Sequence, residues 1–388
     1  MRIERYDMKE MKMDMKRNIM IVVGLLLAVS SLQAQRMDDV AVHSKYIVAV
    51  DEYQPAPGQF VNELPMATAA DTPASMLQKC TNVLLRNAAR LAEGKNIEPD
   101  ETGDDDDYDA SYLLTLGAWG GYITFHFDHS IANVKGQRDL LILGNSNKSV
   151  MTTLDGGASE PGIVMVSKDV NGNGLPDDPW YELAGSADVD SVGKVVYNYA
   201  VTYTKSPMQN IPWTDNQGGS GYVYRIGFHK QEYYPLWLSD ETLSFTGTLL
   251  PPNGVDTNGM GTNWVRVFLR YGYADNKPND DTDANSFDFD WAVDANRQPV
   301  SIDFVDFVRV YTGVNQFCGW MGETSTEIAH AEDLHLDASL QAVRNATGIA
   351  QIKGESKVEN SCYNLNGQRV AKPYKGLYIR NGKKFFIQ

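Results

Sequence analysis

The chain has 388 residues, 43% of them hydrophobic and 22% charged, a globular composition that excludes a disordered or collagen-like protein. Its 34 Lys and Arg stand against 50 Asp and Glu, a formal net charge of −16. A field of that sign repels phosphate backbones, which argues against nucleic-acid binding and suits cations. Three cysteines, Cys80, Cys318 and Cys362, are too few and too scattered for a disulfide framework or a zinc cluster.

The N-terminus carries an address. Met15-Lys16-Arg17 opens a basic region, residues 19–29 are apolar, and Leu32-Gln33-Ala34 places small residues for cleavage before Gln35. This order predicts a signal peptide over residues 1–34 and an exported protein, secreted or held at the cell surface. No later apolar run approaches the length of a membrane span, so none is expected in the mature chain.

Residues 35–339 read as one β-sandwich domain with a strand and a helix at its start. Tyr46-Ile-Val-Ala-Val-Asp51 alternates as a strand. Thr72-Pro73 then opens a helix to about Leu91, with Thr72 as N-cap and Pro73 at the first helical position. An acidic, solvated loop follows over residues 98–109. Strands are predicted over residues 122–127, 140–143, 163–167, 195–203, 221–227, 243–249, 264–269, 287–293 and 304–311, each bounded by Gly, Asn, Asp or Pro. Many short strands and few helices predict a mainly β fold, an antiparallel sandwich of jelly-roll type. All seven tryptophans fall between Trp119 and Trp320, marking this block as the main core. A linker over residues 340–355 leads to a small β-module, residues 356–388, with Asn381-Gly382 as a hairpin turn.

The sharpest motif is Asp169-Val-Asn171-Gly-Asn173-Gly174-Leu175-Pro-Asp177-Asp178. Oxygen side chains at its positions 1, 3, 5 and 9, a glycine at 6 and a peptide carbonyl from Leu175 at 7 follow the pattern of a calcium loop. Position 12 is Trp180 where an EF-hand has a bidentate Glu, so Asp178 or Glu182 must supply the missing ligand. A structural Ca²⁺ is therefore expected on Asp169, Asn171, Asn173, Leu175, Asp177, Asp178 and Glu182.

Other groups are weaker. Asp288 and Asp290 share a strand face and, with Glu241, are the residues a glycoside hydrolase or lyase would use as acid and base. His126 and Asp128 point one way from a strand and His129 the other, so these three are expected to be structural. His330 and His335 get the same reading. Catalytic motifs such as a Gly-x-Ser-x-Gly elbow or a phosphate loop are absent. Aromatics in turn-rich sequence, Trp213 with Asp215 and Asn216, and Tyr233, Tyr234 and Trp237, are candidate ligand-binding residues. Their rings would stack on sugars or other flat ligands, and the polar groups would bind hydroxyls or amides.

Several stretches carry a resemblance: Tyr53-Gln-Pro-Ala-Pro-Gly-Gln-Phe-Val61, Gly121-Tyr-Ile-Thr-Phe-His-Phe-Asp-His129, Glu160 to Asp178, Phe304 to Gln316 and Gly319-Trp-Met-Gly-Glu-Thr-Ser-Thr-Glu327. From about Tyr53 to His335 the chain resembles a family of cell-surface proteins of gut Bacteroidetes. The tail, through Tyr363-Asn-Leu-Asn-Gly-Gln-Arg-Val370 and Gly376-Leu-Tyr-Ile379, resembles a type IX secretion sorting module. The resemblance implies an extracellular β-sandwich that captures a glycan or a corrinoid-like nutrient and hands it to a TonB-dependent outer-membrane transporter. An adhesin with a protein partner is the third reading. The family supplies no catalytic residues.

Overall fold

The computed structural model describes residues 43–98 and 111–336, together with the backbone of four strands between 362 and 387. The signal peptide, nearly all of the acidic loop and the 340–355 linker lie outside the described residues. The chain divides into two compact units, Met1–Ala338 and Ser339–Gln388.

In chain order the first unit forms β1 (Ala49–Gln54), α1 (Pro73–Ala92), β2 (Leu114–Thr115), β3 (Tyr122–Ala132), β4 (Leu140–Leu143), β5 (Gly156–Gly157) and β6 (Gly162–Ser167). Next come β7 (Trp180–Leu183), β8 (Val196–Thr204), β9 (Ile211–Asp215), β10 (Ser220–Val223), β11 (Thr242–Leu249) and β12 (Gly254–Asp256). The last are β13 (Trp264–Val267), β14 (Ser286–Phe287), β15 (Ala292–Val293), β16 (Phe304–Thr312), β17 (Glu327–Ile328) and β18 (His330–Asp333). A six-stranded sheet runs β1-β3-β16-β6-β7-β15 and a four-stranded sheet runs β10-β9-β8-β11. Smaller sheets, β12-β13-β5, β14-β4-β18 and β17-β2, fill in around them. The ladders are antiparallel, so the fold is mainly β and sandwich-like, with the sheets open among the described residues.

Helix α1 covers the main core. Met76, Cys80, Val83 and Leu84 recur at helical spacing and are buried with Ile123, Phe125, Val308 and Val310 of the large sheet. Burying a side chain such as Leu84 contributes about 1.5–3 kcal/mol. The helix starts where expected: Thr72 Oγ1 accepts from the Ser75 amide at 3.2 Å and Ser75 Oγ accepts from the Thr72 amide at 2.9 Å. A second cluster, with Trp119, Tyr199, Tyr203, Ile211, Tyr233, Tyr234 and Phe245, underlies the four-stranded sheet.

Two strand expectations need correction. Residues 287–293 are not one strand: β14 ends at Phe287, a 3₁₀ turn spans Phe289–Trp291, and β15 follows. Asp288 Oδ1 accepts from the Asp290 amide at 2.9 Å and caps that turn. Ile211–Asp215, read as turn-rich, is β9. Its pairing with β8 covers Trp213, Thr214 and Asp215 only, so Pro212 removes no donor from that ladder.

Cys80 and Cys318 are both buried and free. No described helix is long and apolar enough to cross a membrane. In the second unit, β19 (Cys362–Tyr363), β20 (Arg369–Val370), β21 (Gly376–Arg380) and β22 (Lys383–Ile387) form a sheet ordered β20-β19-β21-β22. Arg380 pairs with Lys383, the register a two-residue hairpin requires.

Candidate functional site: an aromatic cleft

The four-stranded sheet carries Trp213 on β9 opposite Gly221 on β10. A Cβ on Gly221 would lie 2.6 Å from the Trp213 ring, so this glycine makes room for the indole to lie across the strand. Beyond β16 the chain folds back as a strap. The Cys318 amide bonds the Gly322 carbonyl at 2.8 Å, and the Thr324 amide bonds the Gln316 carbonyl at 2.9 Å. The Gln316 side chain anchors the strap to β12, accepting from the Gly254 amide at 2.7 Å and donating to its carbonyl at 2.9 Å.

Between sheet and strap lies a cleft lined by Trp119, Trp213, Tyr222, Asn315, Gln316, Phe317, Glu323 and Thr324. Its empty volume, counting the open mouth, is about 250 Å³. Exposed rings continue from it: Tyr222 and Tyr224 have centroids 5.8 Å apart, and Tyr224 and Phe317 4.8 Å. Tyr222 is 50% exposed and Phe317 37%. At the floor, among the described residues, Trp119 Nε1, Glu323 Oε2 and Thr324 Oγ1 are buried polar atoms without a hydrogen-bond partner. Burial raises the Glu323 carboxyl to about 7, although the Gln59 amide bonded to it pulls the other way.

Of the sequence-predicted binding residues, Trp213 alone lines this cleft. Asp215 builds the β9–β10 turn: Oδ1 accepts from the Gln217 and Gly219 amides, and Oδ2 from the Tyr199 hydroxyl at 2.8 Å. Asn216 clips the turn to β8, accepting from the Ala200 amide and donating to the Asn198 carbonyl. The exposed platform expected from Tyr233, Tyr234 and Trp237 is corrected, because all three rings are buried. The Tyr233 hydroxyl donates to the His229 carbonyl, the Tyr234 hydroxyl donates to the Asp240 carbonyl at 2.7 Å, and Trp237 stacks on Tyr53.

The Asp169 loop closes on itself. Asp169 accepts from the Gly172, Asn173 and Gly174 amides. Asp177 accepts from the side-chain amides of Asn171 at 3.0 Å and Asn173 at 2.9 Å, which hold its carboxyl below the usual range. Asp178 Oδ2 takes the Val170 amide. Asp169, Asn171, Asn173 and Asp177 are thus tied together by hydrogen bonds within one loop, with the Asn171 and Asn173 side-chain nitrogens toward Asp177, and Leu175 sits exposed in the same loop. Glu182 is corrected: it lies on β7, bonded to Arg297 at 2.6 Å and to Thr248 at 2.7 Å, and is no part of the loop.

The acid–base candidates do not form one site. Asp288 caps its turn, Asp290 accepts from Asn133 and the Gly136 amide, and exposed Glu241 precedes β11 in the other sheet. A further carboxylate cluster among the described residues is one the sequence did not signal. Glu160, Asp275 and Glu327 are buried with oxygens within 4.8 Å of one another. Glu160 pairs with Arg266 at 2.9 Å. Asp275 accepts from the Asn145, Ser146 and Glu327 amides. Glu327 Oε1 accepts from Thr115 and Ser325 hydroxyls, while its Oε2 has no donor among the described residues. Burial raises all three carboxyls above their usual range. No protein-family model matches the chain, and no curated protein matches it.

Proposed function

We propose that the chain is a surface binding protein whose aromatic cleft captures a glycan. The observation that carries this reading is the run of exposed rings, Tyr222, Tyr224 and Phe317, joined to Trp213 above a floor with unpaired polar atoms. Rings stack on apolar sugar faces, and unpaired donors and acceptors are available to hydroxyls. The rings stand open at the mouth of the cleft, so a ligand would rest across them rather than inside an enclosed pocket. Export, cell-surface attachment and delivery to a TonB-dependent transporter belong to the same proposal, on the signal-peptide pattern and the resemblance to surface proteins of gut Bacteroidetes. A glycan array on the full chain should give a ligand. Tyr224→Ala and Phe317→Ala should each weaken its binding about tenfold at unchanged melting temperature, since stacking contributes about 0.5–1.5 kcal/mol. Equal affinity in both variants would place binding elsewhere.

Calcium at the Asp169 loop is part of this proposal. Turning each of the Asn171 and Asn173 amides over would present oxygen in place of nitrogen toward Asp177, converting the closed loop into a set of oxygen ligands. Few charged ligands imply weak affinity, on the order of 10⁻⁴ to 10⁻³ M. Calcium at ten times its dissociation constant should stabilise the chain by about 1.4 kcal/mol. Asp169→Ala should remove that increment. Melting curves superimposing with calcium and with chelator would refute the site.

A further inference from the structure

The bend in β3 brings together ligands that a regular strand would hold apart. His126 faces Phe307 of β16, yet Ile131 faces Val305, so β3 spends five positions where β16 spends two. This bulge breaks the two-residue alternation, and Asp128 and His129 turn toward each other. His129 Nδ1 lies 2.7 Å from Asp128 Oδ1. His43, just before β1, brings its Nδ1 to 3.4 Å from the same oxygen. The two imidazole rings are 5.0 Å apart. The expectation that Asp128 and His129 diverge is therefore corrected, while His126 leaves the group to bond Asp51 at 2.8 Å.

The surroundings orient each ligand. The Ser44 amide bonds Asp128 Oδ2 at 3.1 Å, which leaves Oδ1 for the histidines. His129 Nε2 lies 2.7 Å from Asp333 Oδ2, and both side chains are fully buried. A buried carboxylate there accepts a hydrogen bond from Nε2–H and so directs Nδ1 at Asp128. This is the carboxylate–histidine arrangement that backs metal-bound imidazoles. Two acceptors facing each other at 2.7 Å need a cation between them, either a proton or a metal. The third donor, His43, adds a second nitrogen aimed at the same point. Asp128 is one-third exposed, so ion and water can reach it.

We propose that His43, Asp128 and His129 bind a divalent transition metal of the zinc class, with Asp333 as the positioning residue behind His129. Two imidazoles and one carboxylate suit such an ion better than calcium or magnesium, which favour all-oxygen sites. Tetrahedral donors about 2.1 Å from zinc stand about 3.4 Å apart. The His43–Asp128 separation already matches, and the His129–Asp128 contact opens by a small rotation of the Asp128 carboxylate, which is one-third exposed. Binding replaces the His129 Nδ1 proton, which leaves to the buffer.

Titration calorimetry of the full chain with zinc chloride, run in two buffers of different ionisation enthalpy, tests this. One tight site with proton release is expected. His43→Ala and Asp128→Asn should each lower its affinity at least about tenfold, and Asp333→Asn by about 10–100-fold. His126→Ala is the control and should change nothing. His43 is partly exposed at the margin of the fold, so its alanine variant should keep the wild-type melting temperature. Cobalt in place of zinc should give tetrahedral visible absorption in the wild type and lose it in His43→Ala. Absence of tight zinc binding, or the same affinity in folded His43→Ala, would overturn the proposal and leave His129 as a buried imidazolium held by two aspartates.

Discussion

Arg266→Met is expected to destabilise the first unit by about 3–5 kcal/mol at pH 7.5, the range for removing one partner of a buried ion pair. Arg266 is buried on β13, 2.9 Å from Glu160, and donates to the Glu323 carbonyl at 2.8 Å. Around it stand Glu160, Glu323 and, through Glu160, Asp275 and Glu327. Without the guanidinium, each carboxyl must stay protonated or carry an unpaired charge in a dry interior. Protonation limits the cost, so the loss should shrink toward pH 5. Arg266→Met combined with Glu160→Gln should recover part of it, because the second change removes the stranded acid. Chemical denaturation at the two pH values measures all of this. A loss under about 1 kcal/mol at pH 7.5 would show that the pair is not the group holding this cluster together.

The cluster also shows what a single sequence hides. Glu160, Asp275 and Glu327 are far apart in the chain, and each alone reads as a surface acid. Only the pairing of β17 with β2 and the turn at Asp275, with φ +52°, assemble them. The bulge in β3 depends on its partner β16, so alternation along β3 located the strand but misdirected Asp128 and His129. Local signals fared better. The Thr72 cap, α1, most strand centres and the turns of the Asp169 loop all rest on contacts a few residues apart. The Tyr233–Trp237 segment failed for a tertiary reason. Irregular backbone is normally exposed because its polar groups need water. Here Asn62 serves them, donating to the Glu232 and Tyr234 carbonyls and accepting from the Leu236 amide. The rings are thereby buried, and the exposed aromatics arise instead at Tyr222, Tyr224 and Phe317, where turn and strap meet.

The melting temperature is expected to be highest near pH 5 and to fall by several degrees toward pH 8. Burial raises Glu323 to about 7, and raises Asp139 to about 7 against the pull of the Phe289 and Val134 amides. A carboxyl whose pKa is higher folded than unfolded contributes stability that is fully present below the unfolded value. That contribution is lost as pH rises through the folded value, because the folded state holds the extra proton. The window is therefore about pH 4.5 to 7 and above. For fully buried Glu323 the displacement corresponds to about 3 kcal/mol. His129 acts in the same direction: burial lowers its pKa, but the bonds to Asp333 and Asp128 outweigh that and raise it. His330 opposes the trend, since burial lowers its pKa and favours the neutral ring. Asp71 and Glu332 are held below the usual carboxylate range, chiefly by Lys79 for Asp71, and by His330 and Lys45 against burial for Glu332. Their share is lost only as pH falls below about 4. At roughly 2–4 °C per kcal/mol for a unit of this size, the acids dominate. Glu323→Gln cannot ionise and should flatten the profile while keeping its oxygen for the Gln59 amide. Glu323 also lies at the floor of the aromatic cleft, so the same variant should remove pH dependence of ligand affinity near neutrality. A wild-type melting temperature that is constant or rising from pH 5 to 7.5, or an unchanged slope in Glu323→Gln, would contradict this assignment of the buried protons.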